Sequence, residues 1–74
     1  MRIEVRLHAR LTGAQPGSRV VELEEGARLR DAFAQLGLSG SPPVVALLDG
    51  GPAWPDTPLH DGAKLELMPI VDGG

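Results

Sequence analysis

The two glycines that end this sequence, Gly73 and Gly74, are the residues whose type and position most directly suggest chemistry. Glycine permits close backbone approach, so a Gly-Gly carboxyl terminus can be threaded through a channel that any side chain would block. With 10 glycines in 74 residues, such a pair would fall at the last two positions by chance in roughly 2% of sequences. We therefore interpret the carboxylate of Gly74 as a candidate substrate for a partner enzyme.

A carboxylate at Gly74 needs activation before its carbon can be attacked, because the charge is delocalised and oxide is a poor leaving group. Adenylation by ATP would supply a good leaving group. The sequence has no G-x-x-x-x-G-K-[ST] phosphate loop of its own, since residues 37–40 lack the lysine and follow no strand. We therefore expect that the chain is no enzyme on its own and binds no cofactor, and that a separate adenylating enzyme uses ATP and Mg²⁺.

Other residue types that could carry chemistry are few. Cysteine is absent, which removes disulfides, thiolate metal sites and a cysteine nucleophile. The two histidines, His8 and His60, are 52 positions apart, and we predict no metal site from them. Trp54 either covers a sheet edge or contacts a partner. A basic stripe on the first strand is interpreted as a solvated edge rather than as an acidic docking site: Arg2, Arg6 and Arg10.

Length and composition indicate one small globular domain. A chain of 74 residues buries only about 60% of its surface on folding, which allows one compact core. The net charge of −3 argues against nucleic acid or an anionic membrane as the main partner. The first residues contain no apolar signal segment, and the longest apolar run, Val44 to Leu48, is too short to span a membrane. We expect a cytoplasmic protein.

Alternation of apolar and polar residues predicts most of the strands. Residues 1–11 and 64–68 each show the period of two that is typical of a strand with one buried face. The continuous apolar run at residues 44–48 predicts a strand buried on both faces. Asp49-Gly50 supplies the turn that follows this strand. The predicted strands, in order, cover residues 1–11, 19–24, 44–48, 53–54 and 64–68.

One helix is predicted between the second and third strands. It starts near Arg28, where no Ser, Thr, Asp or Asn marks the first residue, and it ends at Gly37, a residue suited to the C-terminal cap. Its apolar face consists of residues at helical spacing: Leu29, Ala32, Phe33 and Leu36. One helix covers one face of a sheet, so these elements predict an α+β fold with a mixed sheet of four to five strands and one uncovered face.

This order of elements resembles the β-grasp fold of ubiquitin, with residues 1–70 as the folded domain and residues 71–74 as a flexible tail. Three segments resemble more closely the MoaD-like small subunit of molybdopterin synthase, within the ubiquitin-like sulfur carriers. They are residues 5–11 (VRLHARL), residues 56–62 (DTPLHDG) and residues 65–74 (LELMPIVDGG). The last resembles the family's ending of hydrophobes, prolines, a small residue and Gly-Gly, although Ile70 replaces a proline and Asp72 a small residue.

The resemblance implies that Gly74 is adenylated and then converted to a thiocarboxylate. Val71, Asp72 and Gly73 would thread the tail into the active site of a larger catalytic subunit, where sulfur is delivered to a pterin precursor. The implied partners are therefore an adenylating enzyme of the MoeB/ThiF type and the large subunit of molybdopterin synthase. We expect both to dock on the uncovered sheet face and so to compete.

Other functions share the fold and the Gly-Gly ending. Within the sulfur carriers, the alternatives are thiamine synthesis, tRNA thiolation and cysteine synthesis. A second class is a protein modifier that is conjugated through Gly74, as ubiquitin is. A third is a non-covalent interaction module in which Gly73 and Gly74 have no role.

Overall fold

The computed structural model describes residues 1–11, 14–38 and 44–70. Within these ranges the chain forms a five-stranded sheet and one helix. The elements are β1 (Arg2–Leu7), β2 (Gly17–Glu22), α1 (Leu29–Gln35), β3 (Val44–Leu48), β4 (Gly51–Pro52) and β5 (Lys64–Pro69). Across the sheet the strands follow the order β2-β1-β5-β3-β4. The predicted α+β architecture is confirmed.

The last strand lies in the middle of this mixed sheet. β5 pairs parallel with β1, so that Val5 faces Leu65 and Leu7 faces Leu67. On its other side β5 pairs antiparallel with β3, where Val45 faces Met68. Both edges of β5 are thus hydrogen-bonded, which fixes the position of the segment that leads into the tail.

The core lies between the sheet and α1. Ile3, Val5 and Leu7 of β1 are at most 2% exposed, as the period-two pattern predicted. Leu29 and Ala32 of α1 pack in the same cluster. Phe33, predicted as a core residue, is only partly buried and packs against the edge of the cluster. The other buried members of the cluster are Leu11, Val21, Leu38, Ala46, Leu59, Ala63, Leu65 and Leu67.

Both helix ends have identifiable caps. At the start, where the sequence offered no usual capping residue, the carboxylate of Asp31 accepts a hydrogen bond from the backbone N–H of Arg28 at 2.8 Å. That contact satisfies one of the free amides of the first turn. At the other end Gly37 has φ +74°, a left-handed conformation that glycine adopts without strain, and its predicted role as the cap is confirmed.

The first, second and fourth strands differ from their predicted ranges, and the second lies at Gly17–Glu22 rather than at residues 19–24. β1 ends at Leu7 because the chain then bends, and Leu11 instead forms a bridge with Ala14 through two backbone hydrogen bonds of 3.1 and 2.7 Å. The strand predicted at residues 53–54 lies at Gly51–Pro52, because the left-handed conformations of Asp49 and Gly50 turn the chain at once and pair Gly51 with Leu48.

Two predictions about strand environment are wrong. β3 is not buried on both faces: Ala46 is 6% exposed, but its neighbour Val45 is 39% exposed, since α1 covers one face of the sheet. The stripe that includes Arg2 and Arg6 does not mark a sheet edge, because β1 lies between β2 and β5. No helix in the described part of the chain is long and apolar enough to cross a membrane.

Candidate functional site

The end of β5 determines where the candidate tail begins. The predicted site residues Val71, Asp72, Gly73 and Gly74 lie outside the described residues. The last residues before them are Pro69, which pairs with Val44 of β3, and Ile70, which is 55% exposed. Four extended residues span at most about 13 Å. The tail can therefore reach a partner's active site only if this end of the sheet docks beside its entrance.

The sheet face opposite α1, called here the open face, carries an apolar patch close to the start of the tail. Val45 and Met68 are cross-strand partners, and Leu47 lies two residues along β3 on the same face. Val45 is 39% and Ile70 is 55% exposed. We call Val45, Leu47, Met68 and Ile70 the tail-side patch. Apolar side chains gathered on an uncovered face mark an interaction surface more often than a solvated one.

A pair of polar side chains borders the tail-side patch. Nε2 of His8 lies 2.9 Å from Oε1 of Glu66, and Glu66 pairs across the sheet with Leu47. Both side chains are 37% exposed. The sequence did not reveal this contact, because it joins β1 to β5 across 58 positions. The pair gives the patch a polar rim, an arrangement found at protein interfaces.

A second histidine ties the turn after β3 to the start of β5. The two ring nitrogens of His60 each face an oxygen: Nε2 lies 2.5 Å from Oδ2 of Asp49, and Nδ1 lies 3.0 Å from the carbonyl oxygen of Asp61. Both contacts are hydrogen bonds at the same time only in the charged imidazolium, where both ring nitrogens donate. The other oxygen of Asp49 accepts the backbone N–H of Lys64 at 2.9 Å.

These contacts shift both pKa values. The hydrogen bond to Asp49 raises the pKa of His60 above 6.5, with help from the carbonyl of Asp61. The backbone N–H of Lys64, followed by His60, lowers the pKa of Asp49 below 3.8. A raised histidine pKa contributes stability that is complete below the unfolded value and is lost as the pH rises through the folded value. A lowered aspartate pKa contributes stability that is lost as the pH falls through the folded value.

We therefore expect the difference in unfolding free energy between the native chain and a His60→Asn variant to be largest between about pH 3.8 and 6.5. The difference should shrink as the pH rises further. Urea unfolding at a series of pH values measures it. An NMR titration supplies the control, since Asp49→Asn should lower the pKa of His60. A pH-independent difference would contradict the contact.

Within residues 1–11, 14–38 and 44–70, no group of three His, Asp or Glu side chains could hold a metal ion. Trp54 is 60% exposed, so much of its surface is accessible to a partner. Its turn is held by the backbone N–H of Trp54, which donates to Oγ1 of Thr57 at 2.8 Å.

Comparisons with known proteins agree with this geometry. The family model described as the ThiS family matches residues 5–74. A search of curated protein sequences found no match. Among solved structures, SAMP1 from Haloferax volcanii is similar with a TM-score of 0.75 and 21% identity, and the alignment covers 100% of both chains. A protein assigned as molybdopterin converting factor subunit 1 from Pyrococcus furiosus gives a TM-score of 0.74 and 22% identity, over 96% of this chain and 99% of that one.

A third solved structure is a complex of subunits 1 and 2 of molybdopterin converting factor from Helicobacter pylori. One chain of it matches with a TM-score of 0.63 and 23% identity, and the alignment covers 100% of both chains. Similarity at these identities shows the fold. It confirms the predicted ubiquitin-like β-grasp arrangement of one helix on a mixed sheet.

Proposed function

Because this chain belongs to the ThiS family, we propose that it is a sulfur carrier in molybdopterin biosynthesis. In this role Gly74 would be adenylated, converted to a thiocarboxylate and used to donate sulfur to a pterin precursor. The observation that carries the proposal is the extent of the family match, which runs through the Gly-Gly ending at residues 73–74.

The proposed chemistry takes place on the main-chain carbonyl carbon of Gly74. The carboxylate attacks the α-phosphate of ATP, which releases pyrophosphate and gives an acyl-adenylate. Sulfide displaces AMP and leaves a thiocarboxylate directly. A persulfide displaces AMP to give an acyl disulfide, and a thiol then cleaves its S–S bond to release the thiocarboxylate and a new disulfide. The sulfur is carried by the backbone, so the absence of cysteine from the sequence is compatible with the role. The chain itself is the substrate in the first step and the sulfur donor in the last.

The proposed partners follow from this division of labour. An adenylating enzyme would bind ATP and Mg²⁺, and a larger catalytic subunit would supply the acid, base and pterin contacts. The similarity to the Helicobacter pylori complex of subunits 1 and 2 supports the second partner. The sequence position of the tail supports docking at the open face, because Met68 and Ile70 of the tail-side patch come just before it in the chain.

A protein modifier is the second candidate, favoured by the similarity to SAMP1, a small archaeal modifier protein. Both functions would begin with adenylation of Gly74 and differ in the acceptor. A carrier passes sulfur to a small molecule or tRNA and is recovered as the carboxylate. A modifier instead forms an isopeptide bond between Gly74 and a lysine, which increases the mass of the acceptor protein.

Sulfur loading tests the shared first step. We expect incubation with a MoeB/ThiF-type enzyme, ATP, Mg²⁺ and a sulfur donor to replace one oxygen by sulfur in the C-terminal peptide, as measured by mass spectrometry. Omission of ATP is the control, because adenylation precedes attack by sulfur. An unchanged mass with every MoeB/ThiF-type enzyme from the same genome would contradict the carrier function.

The loaded chain then identifies the acceptor. Mixed with the large subunit of molybdopterin synthase and the cyclic pyranopterin precursor, the loaded chain should return to the carboxylate. Two loaded chains should be consumed for each precursor converted to the dithiolene product. The parallel reactions contain thiazole synthase, a tRNA-thiolating enzyme or a cysteine synthase. Faster sulfur loss in one of those reactions would reassign the pathway while leaving the carrier function intact.

If both partners dock at the tail-side patch, a charge at position 45 should weaken the binding of each partner. A Val45→Lys substitution would bury an unpaired ammonium group against an apolar surface, and we expect about tenfold weaker binding or more to each partner. Isothermal titration calorimetry measures this effect. The two partners should also compete, so that size exclusion with light scattering shows no ternary complex.

Val20 provides the matched control. It is 55% exposed on the same open face, but it lies on β2, two strands from β5. Val20→Lys should bind both partners almost as the native chain does. Equal weakening by the two variants would show that the interface is not centred on the tail-side patch, and a stable ternary complex would contradict the shared surface.

A further inference from the structure

The outer edge of β2 offers unpaired backbone groups. Met1 and Leu23 exchange two backbone hydrogen bonds, of 2.6 and 2.9 Å, and in an antiparallel ladder such pairs recur at every second residue. β1 and β2 are therefore joined at residues 17, 19, 21 and 23 of β2. The N–H and C=O groups of Ser18, Val20 and Glu22 point the other way. Within residues 1–11, 14–38 and 44–70 they have no backbone partner.

A groove adjoins the Glu22 end of this edge. It has a volume of about 560 Å³ and lies between the end of β2, the segment that follows it and α1. Leu23 and Ala34 contribute apolar surface to it. Among the described residues that line it, none is basic and four carry carboxylates: Glu22, Glu24, Glu25 and Asp31. Glu22 pairs with Arg2 at 3.7 Å, and both side chains are largely exposed.

We propose that the free edge of β2 and the adjoining groove bind an extended basic peptide segment of a partner protein. The peptide adds to the sheet as a sixth strand. Ser18, Val20 and Glu22 supply three N–H donors and three C=O acceptors for its backbone. Alternate peptide side chains then point toward the groove, where lysine or arginine meets the carboxylates.

Charge and dimensions favour this occupant over a second copy of the chain. A second copy would bring the same four carboxylates and its own net charge of −3, which opposes association. β2 has six residues and spans roughly 20 Å at about 3.3 Å per residue. It therefore accommodates a segment of about six residues, and a peptide of that length can carry three basic side chains on one face.

The site is separate from the surface proposed for sulfur transfer. β2 is an outer strand of the sheet, whereas the tail-side patch lies on β3, β5 and the residue after β5. A partner bound along β2 leaves that patch uncovered. The inference therefore goes beyond the proposed function and does not depend on it, and a chain without Gly73 and Gly74 should bind the peptide equally well.

A capped seven-residue peptide of alternating lysine and valine tests the site. Titrated into the full chain, it should shift the amide NMR signals of Ser18, Val20 and Glu22 and slow their hydrogen exchange. Two further peptides carry N-methyl groups, one on the odd-numbered and the other on the even-numbered residues. One of the two should bind at least about fivefold more weakly than the other, because its methyl groups replace the N–H donors that face β2. Equal affinity of the two N-methylated peptides would overturn the proposal.

Substitutions separate the groove from general charge attraction. The double variant Glu24→Gln, Glu25→Gln should bind the lysine peptide about fivefold more weakly. Glu4→Gln changes a carboxylate on the open face and should have a smaller effect. Absent binding at millimolar peptide, shifts confined to the tail-side patch, or equal loss in both charge variants would overturn the proposal. Amide NMR shifts at Val20 that depend on the concentration of the chain in the absence of peptide would also overturn it, since these would identify a second copy as the occupant.

Discussion

A chain that lacks Gly73 and Gly74 is expected to accept no sulfur from the adenylating enzyme and its sulfur donor. Truncation places the carboxylate on Asp72, whose side chain and charge would have to enter a channel proposed to admit glycine backbone. It also shortens the reach beyond Ile70 by about 7 Å at roughly 3.3 Å per residue. Mass spectrometry of the C-terminal peptide should show no exchange of oxygen for sulfur.

Extension of the tail is the complementary change. One alanine added after Gly74 moves the carboxylate outward by about 3.3 Å and adds a methyl group at the reacting residue. We expect loading to stop, although the folded domain is unchanged. The truncated tail is therefore too short and the extended tail too long. Both chains also place a residue with a side chain at the reacting terminus.

The matched control is a chain in which Asp72 becomes Ala and both glycines stay. This variant keeps the length and the Gly-Gly terminus, so it should be loaded with sulfur. Equal loading of the truncated chain would show that the Gly-Gly ending has no role in the chemistry. Activity of the extended chain without prior trimming would refute the proposed channel.

Sequence periodicity predicted those parts of the fold that local patterns determine. Ile3, Val5 and Leu7 alternate with charged residues and are buried as expected, because a strand with one covered face imposes a period of two. The helix cap at Gly37 and the Asp49-Gly50 turn were predicted equally well, because each requires a left-handed conformation.

The wrong predictions arose where a local pattern is ambiguous. The apolar run at residues 44–48 fits a strand buried on both faces, but Val45 is exposed because α1 covers one side. A short apolar run cannot distinguish burial on two faces from an apolar interaction surface. In this chain the wrongly predicted residue, Val45, belongs to the tail-side patch, so the error concerns a candidate functional surface.

Sequence analysis did not predict contacts between residues that are far apart in the sequence. His60 and Asp49 are 11 positions apart and meet because β5 begins beside the turn that follows β3. The groove along β2 requires the helix to lie beside the end of that strand. Such juxtapositions follow from the packing of several elements, and no spacing of residue types encodes them.

The second large effect is expected in the core, where Leu67→Ala should remove about 2 to 5 kcal/mol of unfolding free energy. Leu67 is 0% exposed and lies on the central strand β5, opposite Leu7 on one side and Ala46 on the other. Truncation therefore leaves a cavity that neighbours fixed by strand pairing cannot fill. The total stability of 74 residues is only about 4 to 11 kcal/mol. Urea unfolding measures the change.

Leu47→Ala is the control with identical chemistry on the other face of the sheet. Leu47 is partly exposed on the open face of β3, so removal of the same atoms exposes little new surface and should cost about 1 kcal/mol or less. The ratio between the two variants thus reports which face α1 covers. Equal costs would mean that both faces are covered in solution, and a larger cost at Leu47 would reverse the assignment of core and docking surface on which the proposed function depends.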